Sequence, residues 1–152
     1  MKNKLKTVLS AIKSGAPIEE ASRDVDWKDF EGLVAEILES KNFEVIRNFR
    51  MRKPTMEIDV VGIHLGVAVL IDCKHWKRMT NSALEKIVQR QIDRVKHYVA
   101  STNEVVAAPV IVTLYQEETK FVSKVPIVPI IQFSSFIDEF YGNLEEIRTI
   151  EK

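Results

Sequence analysis

The chain predicts an α/β fold built on a central mixed β-sheet flanked by helices. Three observations carry that expectation. Helical periodicity gives way to strand alternation and then returns along the 152 residues. Three strand-like segments follow one another closely enough to pair as an antiparallel meander. A long amphipathic helix then separates the third strand from a fourth, as a crossover to a parallel neighbour requires.

Taken in order, residues 1–25 read as an N-terminal helical extension: a short helix over 5–13, a turn over 14–17 and a second helical piece in IEEASRDV. The main domain is expected over 26–152. Trp27, Phe30, Leu33, Val34, Ile37 and Leu38 recur at helical spacing, with Asp26 available as N-cap. FEVIRNFRM reads as a strand, 52–55 as a turn containing Pro54, and MEIDVVGI and VAVLIDCK as two strands joined through 64–66. Leu84, Ile87, Val88, Gln91, Ile92, Val95, Tyr98 and Val99 line one side of a helix beginning near Asn81 or Ser82. A strand is expected over 105–115, a second over 125–133, and a last helix from about Ser135.

Composition excludes several classes. Apolar residues are 45% and charged residues 29%, which is globular rather than disordered material. No apolar run approaches the roughly 18 residues of a membrane span. The basic start MKNKLKTVLSAIKSG lacks a long apolar region and a small-residue cleavage site, so no signal peptide is expected. Cys73 is the one cysteine, which rules out an internal disulfide and suits a reducing cytoplasm. Net charge is zero, but between Arg47 and Lys96 eleven bases face five acids, so a polyanion suits the middle third. Solvated helix faces and strand ends explain the same asymmetry without a ligand.

Within IleAspCysLys at the end of VAVLIDCK, alternation puts Asp72 and Lys74 on one face. Acid-x-Lys occurs four times in the chain, where composition alone yields about two, so only context separates this instance. Hairpin register supplies the context. A two- or four-residue loop places Asp59 opposite Asp72, and it gathers Ile58, Val60, Val67, Val69, Ile71 and Cys73 on one wholly apolar face. A three-residue loop would mix Asp59 with Ile71 on the core side. Opposed strand residues have Cβ atoms about 4.5–5.5 Å apart, where like charges repel. Either Lys74 neutralises the two acids at a sheet edge, or both carboxylates hold a divalent cation and Lys74 handles its water.

Helical geometry adds two positions. Glu31 falls at the flank of the first apolar stripe and is able to lean toward the sheet, whereas Glu36 and Glu39 lie round the solvent side. Gln91 sits near the centre of the later stripe, where its amide needs a partner: the acidic cluster, backbone or a trapped water. Gln89 should be exposed. His64, His75 and His97 have no zinc spacing, no Gly-rich phosphate loop precedes a helix, and Cys73 points to the core.

These residues, DFEGLVAEILES, then EIDVVG, then VLIDCKHWK, resemble the PD-(D/E)XK nuclease superfamily, nearest its Mrr-like restriction endonuclease and archaeal Holliday-junction resolvase branches. The resemblance runs from Trp27 to about Tyr115 and implies a restriction endonuclease-like fold, a central mixed β-sheet flanked by helices. It implies metal-dependent hydrolysis of DNA phosphodiesters. Asp59, Asp72, the backbone carbonyl of Cys73 and Glu31 would hold Mg²⁺, for which Mn²⁺ substitutes. Lys74 would handle the attacking water, and Gln91 would stand near the site. Two features depart from the pattern: Ile58 replaces the proline before the first aspartate, and Val95 replaces the tyrosine four residues after Gln91.

The expected function is therefore a Mg²⁺-dependent endodeoxyribonuclease acting on duplex or branched DNA in repair, recombination or restriction. Arg50, Arg52, Lys53, Lys77 and Arg78 would grip flanking phosphates. Cutting both strands needs two active sites, which a homodimer would supply. The alternative is a DNA-binding or assembly module that keeps the fold and has lost turnover.

Overall fold

The computed structural model describes residues 27–75, 79–104, 106–114 and 119–152. The expected extension over 1–25, the Asp26 cap, and Lys77 and Arg78 lie outside the described residues. Helix α1, Trp27–Ser40, ends where Asn42 turns left-handed (φ 69°). Phe43 N then donates to Leu38 O and Asn42 N to Glu39 O, each at 3.1 Å, a Schellman closure that satisfies the last carbonyls.

Strands β1 (Glu44–Met51), β2 (Met56–His64) and β3 (Val67–Lys74) form the expected antiparallel meander. Leu65 and Gly66 both have positive φ (51° and 77°), the requirement of a two-residue hairpin turn whose twist matches its strands. That turn sets the register foreseen from the apolar pattern, from His64↔Val67 to Val60↔Ile71.

One part of the pattern needs correction. Val60, Val67, Val69, Ile71 and Cys73 share the core beneath α1, but Ile58 packs in the opposite core with Met51, Val61, Leu70 and Tyr98. The cause lies in β1. Asn48 is left-handed (φ 54°), and the Asn48–Asp59 position is missing from an otherwise continuous ladder. Val45 packs on the α1 side while Phe49 packs on the other, so side-chain alternation changes phase at Asn48 and Asp59 in both strands. Asparagine tolerates this conformation better than most residues.

Helix α2, Asn81–Ser101, crosses over to a parallel β4, Val106–Thr113. Its N-cap is Thr80, whose Oγ1 accepts from Ala83 N at 3.1 Å. Strand order is β1-β2-β3-β4-β6-β5, where β5 is Lys120–Val122 and β6 is Val125–Pro129. A short β7, Ile150–Glu151, pairs with the start of β4. Because β7 takes Val106 and Ala107 and β6 takes Ile111 to Thr113, Pro109 falls between them, where its missing donor breaks no ladder bond on that flank.

The expected strand over 125–133 stops at Pro129, and Ile130–Asp138 is helix α3. Ile130, Phe133 and Ile137 are its buried residues, a helical spacing hidden at the end of an apolar run. Helices α1 and α3 cover one face of the sheet and α2 the other. The α1 layer sits close because Gly62 leaves room. A Cβ there would lie 3.0 Å from Leu38 Cδ1 and 3.2 Å from both Phe43 Cδ2 and Val69 Cγ1. Among the described residues no helix is long and apolar enough to cross a membrane.

Candidate active site

Strand β3 is buried from Val67 through Cys73, and its C-terminal end delivers the polar residues. Cys73 enters the core under α1, where burial pushes its thiol well above the usual range. Asp72 and Lys74 point the other way, and Lys74 Nζ stands 3.3 Å from Asp72 Oδ2. That carboxylate is only 7% exposed. Its Oδ2 is buried without a hydrogen bond among the described residues.

Asp59 arrives from β2 where the ladder has just ended. Instead of a backbone carbonyl, its Oδ2 accepts the Cys73 N–H at 2.9 Å, and its carboxyl lies close enough to Asp72 to feel that second charge. The two aspartates are thus neighbours, one position beyond the last ladder pair, and both line one pocket. Burial pushes the Asp59 pKa up to about 7; the Cys73 N–H opposes the rise, and the charges of Asp72 and Glu31 add to it.

This shift has a direction that denaturation experiments detect. Folded Asp59 binds a proton up to about pH 7, whereas an unfolded aspartate releases it near 3.9. The folded state therefore holds more protons between those values, and stability falls as pH rises through that window. Asp59→Asn should flatten the loss and raise the melting temperature of metal-free protein at pH 8 relative to wild type. Parallel melting curves for the two proteins from pH 5 to 8 would refute the raised Asp59 pKa.

Helix α1 contributes Glu31, which is 4% exposed and faces Arg47 Nη2 at 3.9 Å. Arg47 Nη2 also donates to Lys28 O at 3.3 Å. With Lys28, Asn48, Glu57 and Arg94, these groups line an open pocket of about 670 Å³ around Asp59, Asp72 and Lys74. Glu36, expected at the solvent side, is half-buried, while Glu39 is exposed as expected. A more apolar pocket of about 630 Å³, lined by Phe121, Gln132, Phe136, Glu139 and Glu146, is separate from this cluster and shares none of its residues.

Gln91 is fully buried and does not line the pocket. Its partners are not the acids. Nε2 donates to Leu70 O at 2.9 Å, and Oε1 accepts from Arg94 Nη1 at 3.0 Å. Arg94 in turn reaches within 3.8 Å of Asp72 Oδ2. Gln91 therefore meets the site through Arg94. Gln89 is exposed and bonded to Asp93.

Of the expected phosphate-gripping cations, Arg50 is exposed and pairs with Glu57 at 3.6 Å, Arg52 and Lys53 are exposed in the β1–β2 turn, and none of the three lines the pocket. The cations that do, besides Lys74, are Lys28, Arg47 and Arg94. Arg94 had a signal in the sequence: it is three residues after a buried glutamine, hence its neighbour on the helix surface.

The donor set suits a hard divalent cation. Two adjacent carboxylates supply oxygens, one of them buried and short of a hydrogen bond. Among the described residues no group of three or more His, Cys, Asp or Glu side chains is already gathered to hold an ion, so the fit rests on the aspartate pair.

A family model described as restriction endonuclease matches residues 22–115. An uncharacterized protein of Archaeoglobus fulgidus is 29% identical over 124 residues, covering 79% of this chain and 95% of the relative. A crystal structure of a protein of unknown function is 27% identical with a TM-score of 0.42, and the match spans 55% of this chain and 44% of that one. The small subunit of the heterodimeric restriction endonuclease R.BspD6I superposes with a TM-score of 0.52 at 14% identity, covering 94% of this chain and 82% of the subunit.

Proposed function

Because this chain belongs to the restriction endonuclease family, we propose that it hydrolyses DNA phosphodiester bonds at the Asp59–Asp72–Lys74 pocket, using Mg²⁺ or in its place Mn²⁺. The observation that carries the reading is the pair of aspartates lining one pocket, Asp72 buried and Asp59 half-buried, with an ammonium 3.3 Å from the more buried partner. Such a pair is unfavourable until a cation joins it.

Asp59 and Asp72 would hold the metal, with the Cys73 carbonyl and Glu31 as further donors. The metal supplies Lewis acidity toward water and charge neutralisation at the phosphate. Lys74 orients the attacking water against phosphorus, from a position set by its contact with Asp72. The Cys73 N–H holds Asp59 in place. The water oxygen bonds to phosphorus and gives up a proton to solvent, the bond to the leaving sugar oxygen breaks, and that oxygen departs with a proton from solvent. The exposed Arg50, Arg52 and Lys53, with Lys77 and Arg78, contact flanking phosphates and set position without reading sequence. Breaking both strands of a duplex takes two such sites, supplied by two copies of this chain.

The test is incubation of purified protein with supercoiled plasmid and branched DNA in Mg²⁺ or Mn²⁺. Nicked or linear product that disappears with chelator is expected. DNA binding with no cleavage under either metal would instead favour a binding module that keeps the fold. The pairing of Glu31 with Arg47 is the observation on that side.

A further inference from the structure

We infer that Arg94 is a phosphate-holding residue of this site, its guanidinium gripping a non-bridging oxygen of the nucleic-acid backbone at the point of attack. The inference rests on the nuclease reading for its chemistry but on Arg94's own geometry for its assignment. Arg94 lines the pocket with Lys74. At 3.8 Å from Asp72 Oδ2 it is an ionic neighbour, too far for a hydrogen bond. Among the described residues its hydrogen bond is to Gln91 Oε1 at 3.0 Å. A guanidinium carries five N–H donors, so most of the fork is left for a ligand.

The way Arg94 is held points to more than charge balance. Gln91 is fully buried, and its amide is tied at the far end to Leu70 O at 2.9 Å. That anchor fixes which way Oε1 faces and so restrains the Nη1 end of the guanidinium. A counter-ion for Asp72 needs no such support, and Lys74 already stands closer to the same oxygen. Held donors facing the pocket are what binding a tetrahedral anion demands. The charge balance agrees: four cations and four carboxylates line the pocket, so an incoming dication leaves it positive and ready for phosphodiester oxygens.

The test compares wild type with Arg94→Ala, Arg94→Gln and Arg94→Lys, binding a labelled DNA duplex in Ca²⁺ across a salt series. Loss of one phosphate contact should make the slope of log affinity against log salt shallower by about one in Arg94→Ala and Arg94→Gln. Arg94→Lys should keep the slope. In Mg²⁺ the cleavage rate should fall about 10²–10³-fold in Arg94→Ala, with partial rescue by added methylguanidinium, which a loss of stability alone would not give. An unchanged slope in both neutral variants overturns the assignment. So does a rate loss that tracks a shifted Mg²⁺ midpoint without guanidinium rescue, because Arg94 would then be serving Asp72 alone. If wild type cuts nothing, the nuclease reading fails by itself, and the salt slope still decides whether Arg94 touches phosphate.

Discussion

Lys74→Ala should lower the rate of DNA cleavage by about 10²–10⁴-fold, the range for removing a group that positions or moves a proton in the transition state. Affinity for DNA in Ca²⁺ should change little, because Lys28, Arg47 and Arg94 remain in the pocket. The fold should hold as well. Lys74 ends β3 and is partly exposed, and Asp72 keeps Arg94 as a counter-charge. Initial rates on plasmid with affinity measured in parallel would check this. A variant that cuts as fast as wild type would remove Lys74 from the chemistry.

Gln91→Ala should produce the largest loss of stability among the polar residues of the site. Its side chain is fully buried, and emptying a buried volume of that length takes away about 2–5 kcal/mol. Gln91→Leu separates volume from bonding. It refills the space but leaves the Leu70 carbonyl and the Arg94 fork without their amide partner, which should cost about 1–3 kcal/mol. Chemical denaturation measures both through the transition midpoint. Losses within about 0.5 kcal/mol, the range of an ordinary surface substitution, would show that the amide is dispensable.

What could be read from the sequence was whatever repeats. The apolar alternation of VAVLIDCK sets both ends of β3 and, with MEIDVVGI, the hairpin register. The stripe from Leu84 to Val99 identifies α2 and, through it, the parallel crossover. Features that depend on one residue's backbone choice do not repeat and stayed hidden. Left-handed Asn48 reverses the faces of β1 and β2, so Ile58 moved to the other core. Strands β5 and β7 are three and two residues long, too short to show a period. In the site, the Asp59–Asp72 contact followed from register, but Arg94 entered only as one base in a charge count. Its spacing from Gln91 was legible, but its role depends on the backbone bond of Gln91, which leaves no trace in the sequence.

The two-residue turn at Leu65 and Gly66 acts as a ruler for chemistry on the order of 20 Å away, five ladder pairs along the hairpin. Leu65 is 76% exposed, and such loop tips ordinarily accept extra residues readily. Here parity matters more than length. One inserted residue would have to be taken up as a three-residue turn, since sliding the strands instead would turn Asp59 from its partner and expose the core face.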